Sequence, residues 1–129
     1  MKTKSIPALN KKNKLVQVEV KYDNVPHTEL MVHPALGDNT DKPLQYMIAH
    51  RHSGWGILAA PVGTSKKKTI AAAQHLWTVM PDEIKKCLIV CDTNDGYTVQ
   101  AAIQTLMRED KSIEPAMKSA LRSTRNYLS

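Results

Sequence analysis

The sequence predicts a single α+β domain: a mixed, mainly antiparallel sheet of about four strands, covered by helices, with elements in the order β-β-β-α-β-α-α. Three observations predict it. Residues 87–91, Cys-Leu-Ile-Val-Cys, are an unbroken apolar run between lysines and a polar Asp-Thr-Asn-Asp-Gly turn, the pattern of a buried central strand. Val99, Ala102, Ile103, Leu106 and Met107 then recur at helical spacing and place one apolar stripe on a helix. Residues 46–60 hold two strand-like runs separated by Ser53 and Gly54, the connection of a tight hairpin. At 129 residues the chain is long enough to bury a core without metal or disulfide staples.

In chain order, residues 1–13 have little apolar periodicity, contain Pro7 and are rich in Lys and Asn, so a disordered basic tail is expected ahead of a domain at 14–129. Residues 14–22 alternate: Val16, Val18, Val20 and Tyr22 share one face of a strand, and Gln17, Glu19 and Lys21 the other. Pro26, Pro34, Gly37 and Pro43 punctuate residues 23–43, which read as an ordered loop with one helical turn; a connection this long is either functional or conceals an element. In the hairpin, a two-residue turn sets His52 opposite Trp55, His50 opposite Ile57 and Ile48 opposite Ala59.

Gly63, Thr64 and Ser65 supply capping groups for a helix from about Lys66 to Met80, closed by Pro81, with Ile70, Ala73, Leu76, Trp77 and Met80 on its buried face. Hairpin strand, helix and the 87–91 strand then make a right-handed crossover. Asp95 caps the following helix. Ser112 caps the last, which accepts Pro115 in its first turn and carries Ile113, Ala116, Met117, Ala120, Leu121 and Thr124 on one face to about Tyr127. No internal repeat is present.

The net charge is +6, and Lys2, Lys4, Lys11, Lys12 and Lys14 account for five of these charges within the first 14 residues, which contain no acid. The charge therefore speaks for the N-terminus and hardly for the remainder. No apolar run approaches the ~20 residues of a membrane span, and no signal-peptide pattern follows the first lysines, so a soluble, cytoplasmic protein that does not enter membranes is expected. The two cysteines, four apart in one predicted strand, read as reduced core residues.

Four groups of residues have the right types for chemistry. Lys66, Lys67 and Lys68 follow Ser65 at a helix start, where cations oppose the macrodipole and an arriving anion reverses that cost; the second glycine of a P-loop is missing. Lys118, Arg122 and Arg125 share one face of the last helix, a stripe able to lie along phosphates. His50 and His52 lie on one face of a strand, where two imidazoles could join a carboxylate around a metal if His27, His33 or His75 approached. Asp92, with Asn94 and Asp95, stands at the carboxyl end of the predicted central strand, the usual ligand position in α/β sheets.

With Asp23 after the first strand and Asp92 after the fourth, the element order resembles the first part of the ribonuclease H-like fold. That resemblance implies a metal-dependent phosphoesterase or nuclease holding two metal ions, with Asp23 and Asp92 at the strand positions. The helix from Lys66 to Met80 carries none of the family's acids.

The residues themselves point first to a non-catalytic accessory protein, without cofactor or metal, that binds nucleic acid or another polyanion. Lys11, Lys12, Lys14, Ser65, Lys66, Lys67, Lys68, Arg122 and Arg125 would neutralise phosphate, and Trp55 with the hairpin tip would stack on bases. A protein-interaction or oligomerisation module, as a homodimer or with another partner, is the second expectation.

Overall fold

The computed structural model describes residues 2–9, 12, 15–35, 43–91, 93 and 95–129. The fold is α+β, with every strand before every helix. Strands β1 (Lys2–Leu9), β2 (Leu15–Asn24), β3 (Leu30–Pro34), β4 (Tyr46–His50) and β5 (Gly56–Ala59) precede helices α1 (Lys66–Val79), α2 (Asp82–Ile89), α3 (Gly96–Glu109) and α4 (Ile113–Leu128). The strands lie side by side in chain order and all their pairings are antiparallel, so the sheet is a meander rather than the mixed sheet expected.

The segment expected to be a disordered tail instead contributes β1, which pairs with β2 from Lys2↔Tyr22 to Leu9↔Leu15. β2 joins β3 only through Asp23↔Val32 and Asn24↔Met31, at the end of its own length. Strands β1 and β2 therefore form a two-stranded ribbon that meets the rest of the sheet at one end. A short turn leads from β2 into β3. Val25 N–H donates to the Leu30 carbonyl, and the Thr28 hydroxyl donates to the Val25 carbonyl while accepting from Leu30 N–H. β3 is the element concealed in the segment read as a loop. Leu30, Met31 and Val32 are buried outright, and a continuous apolar strand between two neighbours has no alternation to betray it. Gly37 lies outside the described residues.

The hairpin of β4 and β5 forms, but with a wider turn than expected. Its register is Met47↔Ala59 and Ile48↔Leu58, then Ala49↔Gly56 across a bulge at Ile57. His50 N–H donates to the Trp55 carbonyl and Gly54 N–H to the His50 carbonyl, so residues 51–54 make the connection. The reason is chemical: His50 turns inward, and the loop has to close around it.

Residues 87–91 are not a strand, and the predicted crossover does not exist. Pro81 precedes a first turn carrying Asp82 and Glu83, acids that favour a helix N-terminus, and α2 runs from there to Ile89. Ile84 and Leu88, four apart, face the core, whereas Ile89 and Val90 are exposed. Cys87 lies in the last turn of α2 and Cys91 just beyond its end, both partly buried against the core.

The other helices follow their apolar stripes. In α1 the Ser65 hydroxyl caps Lys68 N–H at 3.1 Å. Thr69, Ala72, Ala73 and Leu76 are buried, while Ile70 and Trp77, expected to be inside, are half-buried. In α3 the Asp95 carboxylate caps Tyr97 N–H as expected, and Val99 and Ile103 point inward. At the start of α4 Ser112 makes no side-chain cap; instead Asp110 accepts from its N–H and hydroxyl, which holds the Asp110 carboxyl below its usual range. α1 covers β3 and β4 and is covered by α4, and one core joins Leu30, Val32, Ile48, Leu76, Leu88, Ile103 and Met117. A smaller cluster of Val20, Met31 and Ala49, with Tyr22 and Met47, packs on the opposite face of the sheet.

Candidate nucleic-acid interface

The alternation that predicts β2 also sorts the ribbon into two faces. Residues paired across an antiparallel ladder share a face, as do alternate residues along a strand. The ladder pairs Thr3↔Lys21, Ser5↔Glu19 and Pro7↔Gln17, which sets Thr3, Ser5, Gln17, Glu19 and Lys21 on one face. Thr3, Ser5, Gln17 and Glu19 are exposed and Lys21 is half-buried, so this face is polar. Val16, Val20 and Tyr22 occupy the other, where Val20 is buried beside Met31 and Ala49.

Asp23 continues the polar face into the sheet and marks where the ribbon begins. There Lys66 Nζ meets Asp23 Oδ2 at 3.1 Å. This contact places the lysine cluster at the start of α1 at the base of the ribbon, on the ribbon's polar side, at the opposite end of the β1–β2 ladder from the connection that holds Lys12. Lys66 is half-buried and shares its charge with Asp23, whereas Lys67 and Lys68 are exposed. The Ser65 oxygen already accepts Lys68 N–H, and Thr69 N–H and its hydroxyl both reach the Ser65 carbonyl. The helix end is thus capped by its own side chain, and what faces solvent there is positive charge.

Lys12 is exposed, in the connection between β1 and β2; Lys11 and Lys14 lie outside the described residues. That connection, residues 10–14, reads Asn-Lys-Lys-Asn-Lys. The third group is separate. Arg122 and Arg125 are exposed on α4, and Lys118 is ion-paired with Glu114 at 3.2 Å. α4 meets α1 where His75 Nε2 and the Ser123 hydroxyl are 2.8 Å apart and the His75 ring stacks on Tyr127. His75 lies seven residues beyond Lys68, about 10 Å along the helix.

The histidines do not assemble a metal centre. His50 is fully buried, its Nε2 3.0 Å from the Leu88 carbonyl and its Nδ1 2.7 Å from the Ser53 hydroxyl. A carbonyl only accepts, so Nε2 carries the proton and Nδ1 receives the serine's. His52 is exposed, with its ring centroid 6.5 Å from that of His50. His33 is buried on β3, where its Nδ1–H donates to the Pro34 carbonyl at 2.7 Å, and burial pushes its pKa down. His27 lies in the turn before β3. Among the described residues, no three His, Cys, Asp or Glu side chains come together as a metal site.

Asp92 and Asn94 lie outside the described residues. With α2 in place of the fourth strand, the element order of the ribonuclease H-like resemblance is not met, and Asp23 is engaged with Lys66. Trp55 is half-buried beside the close approach of α3, where a Cβ on Gly96 would meet Trp55 N at 2.9 Å, and is not the open stacking platform expected at the hairpin tip. Sequence reasoning found the polar face of β2 but missed β1, which pairs with it and completes the ribbon. The signal was the alternation of β2, which implies a partner strand that the lysine-rich N-terminus concealed. Among the described residues, no helix is long and apolar enough to cross a membrane. Comparison with protein-family models, with curated proteins and with solved structures finds no match to this chain.

Proposed function

We propose that the chain is a non-catalytic binding protein for nucleic acid or a similar polyanion, and that its binding surface is the N-terminal ribbon together with the start of α1. The observation that carries this reading is the Lys66 to Asp23 contact, 3.1 Å, which joins the lysine cluster to the ribbon's base. Residues 1–24 hold six lysines, Lys11, Lys12 and Lys14 among them, against Glu19 and Asp23, and Lys67 and Lys68 add exposed positive charge at the ribbon's base. Phosphates neutralised there release counterions, which supplies affinity independent of sequence. Ser65 retains a hydroxyl proton to donate to an anion, and Lys66 keeps the cluster in place. Arg122 and Arg125 form a second strip on α4 for a polyanion long enough to reach it.

The test is binding of labelled single- and double-stranded DNA and RNA by the full chain across a salt series. It is compared with a Lys11→Gln, Lys12→Gln, Lys14→Gln variant and a Lys67→Glu, Lys68→Glu variant. Deleting the N-terminus would remove β1 itself, so charge substitution is the cleaner experiment. Affinity should fall steeply with salt and fall further in each variant. Affinity unmoved by both sets of substitutions contradicts the reading.

A second reading, association with another copy or another protein, has support of its own in Ile89 and Val90, adjacent apolar residues 56% and 77% exposed at the end of α2. Light scattering of the full chain beside an Ile89→Asp, Val90→Asp variant tests it. A monomer in both cases removes self-association.

A further inference from the structure

We propose that the β1 and β2 ribbon is an element that reads duplex DNA, entering the major groove with its Thr3, Ser5 and Gln17 face against the base edges. This rests on the polyanion-binding reading above and makes it specific. A two-stranded antiparallel ribbon is one of the few protein elements that a major groove of about 12 Å admits, and a minor groove of about 6 Å is too narrow for it. The ladder from Lys2↔Tyr22 to Leu9↔Leu15 extends for eight pairs, on the order of 25 Å, and meets the sheet only at its Asp23 end. Groove entry needs such a reach.

The chemistry of the exposed face selects among nucleic acids. Glutamine pairs in two-point fashion with adenine, and serine and threonine hydroxyls bond to either purine or pyrimidine edges in the major groove. Glu19, the acid on this face beyond the ion-paired Asp23 at its base, is poorly suited to a phosphate track but accepts a hydrogen bond from a cytosine amino group. Single-strand binding relies instead on aromatic rings stacked on bases. The first 24 residues contain one aromatic, Tyr22, and it lies on the opposite face, half-buried with Val20 and Met31. A-form RNA is disfavoured too, because side chains cannot read its deep, narrow major groove. Lys67 and Lys68, beside the ribbon's base, then fall where the backbone flanks the groove, and phosphate contacts there fix register while the ribbon face specifies sequence.

The experiment uses the full chain and a DNA duplex enriched by it from a random-sequence pool, with single-stranded DNA and an RNA duplex of the same sequence as comparisons. Guanine N7 methylation by dimethyl sulfate reports on the major groove. Tighter binding to the DNA duplex than to either comparison, by about tenfold or more at matched salt, is expected, with N7 positions protected. A Thr3→Ala, Ser5→Ala, Gln17→Ala variant should lose about tenfold on that duplex with an unchanged salt slope, since it removes base contacts and no phosphate contact. All three side chains are exposed, so the fold should persist, as circular dichroism would verify. Equal binding to RNA duplex or single strand, reactive N7 positions, or a triple variant indistinguishable from the parent each overturn the ribbon proposal while leaving general polyanion binding standing. No salt-dependent binding to any of the three overturns both.

Discussion

His50 sits where a polar side chain is least expected, in the core at the end of β4, and its surroundings account for every hydrogen-bonding atom of the ring. The Leu88 carbonyl takes the Nε2 proton and the Ser53 hydroxyl serves Nδ1, while that hydroxyl also accepts Trp55 N–H at 3.2 Å. One imidazole thereby ties the β4 and β5 connection to the end of α2. Replacing His50 with Ala leaves these partners buried without it and should cost roughly 2–4 kcal/mol in denaturant unfolding, whereas Ser53→Ala should cost about 1 kcal/mol. His33 makes a different demand. Burial lowers its pKa, more strongly than its bond to the Pro34 carbonyl raises it, so the folded chain resists protonation that the unfolded chain accepts at about pH 6.5. As pH falls through that value the unfolded state binds more protons, and stability is lost until the folded form protonates as well. Unfolding midpoints measured from about pH 8 to about pH 5 should decline below about pH 6.5 in the parent, and decline less in His33→Gln.

At the scale of elements, α2 explains why parts of the chain were legible and one part was not. Helices α1 and α3 announce themselves through apolar stripes and capping residues, α4 through its apolar stripe, and β2 through strict alternation of Val16, Val18 and Val20 with Gln17 and Glu19. Five consecutive apolar residues have no period, so 87–91 fits strand and helix equally by that criterion. The deciding signal lay upstream, in Pro81 followed by Asp82 and Glu83, with Ile84, Cys87, Leu88 and Cys91 at helical spacing behind them. β3 was obscured by Pro26 and Pro34 at its borders, and β1 by lysines that composition assigns to solvent. Of the candidate site, the lysine groups were legible as charge, but the docking of Lys66 on Asp23 was not, because residues 23 and 66 are brought together by the packing of α1 on the sheet rather than by any local pattern. The helical reading of α2 has a direct test. Leu88→Ala should cost about 2–5 kcal/mol, and Ile89→Ala or Val90→Ala well under ~1 kcal/mol. A buried strand would require Ile89 and its neighbours to be comparably sensitive.

Over the whole molecule, the segregation of charge matters more than its total. Six of the 18 basic residues lie in the first 24, and the later residues are close to balanced. The sheet carries that segment as a ribbon, α1 adds Lys67 and Lys68 at its base, and Arg122 and Arg125 stand apart on α4. A surface of this kind announces itself in the salt dependence of binding, where each phosphate neutralised on duplex DNA adds about 0.9 to the slope of log affinity against log salt. Replacing Lys67 and Lys68 together by Gln should therefore lower the slope by up to about 1.8, with a smaller change for Arg122→Gln with Arg125→Gln on the separate α4 strip. Lys66→Gln should behave differently from either pair. It removes a charge already shared with Asp23, so its effect on the slope should be small, while leaving the Asp23 carboxylate uncompensated at the ribbon's base should weaken affinity through repulsion of the approaching phosphates. Asp23→Asn combined with Lys66→Gln should restore that affinity, since both charges are then gone. Titrations of one duplex across a salt series with Lys66→Gln, Asp23→Asn and the double variant measure it: recovery in the double variant identifies the pair as the junction between ribbon and helix, and additive effects of the two single changes would place the two residues in independent roles.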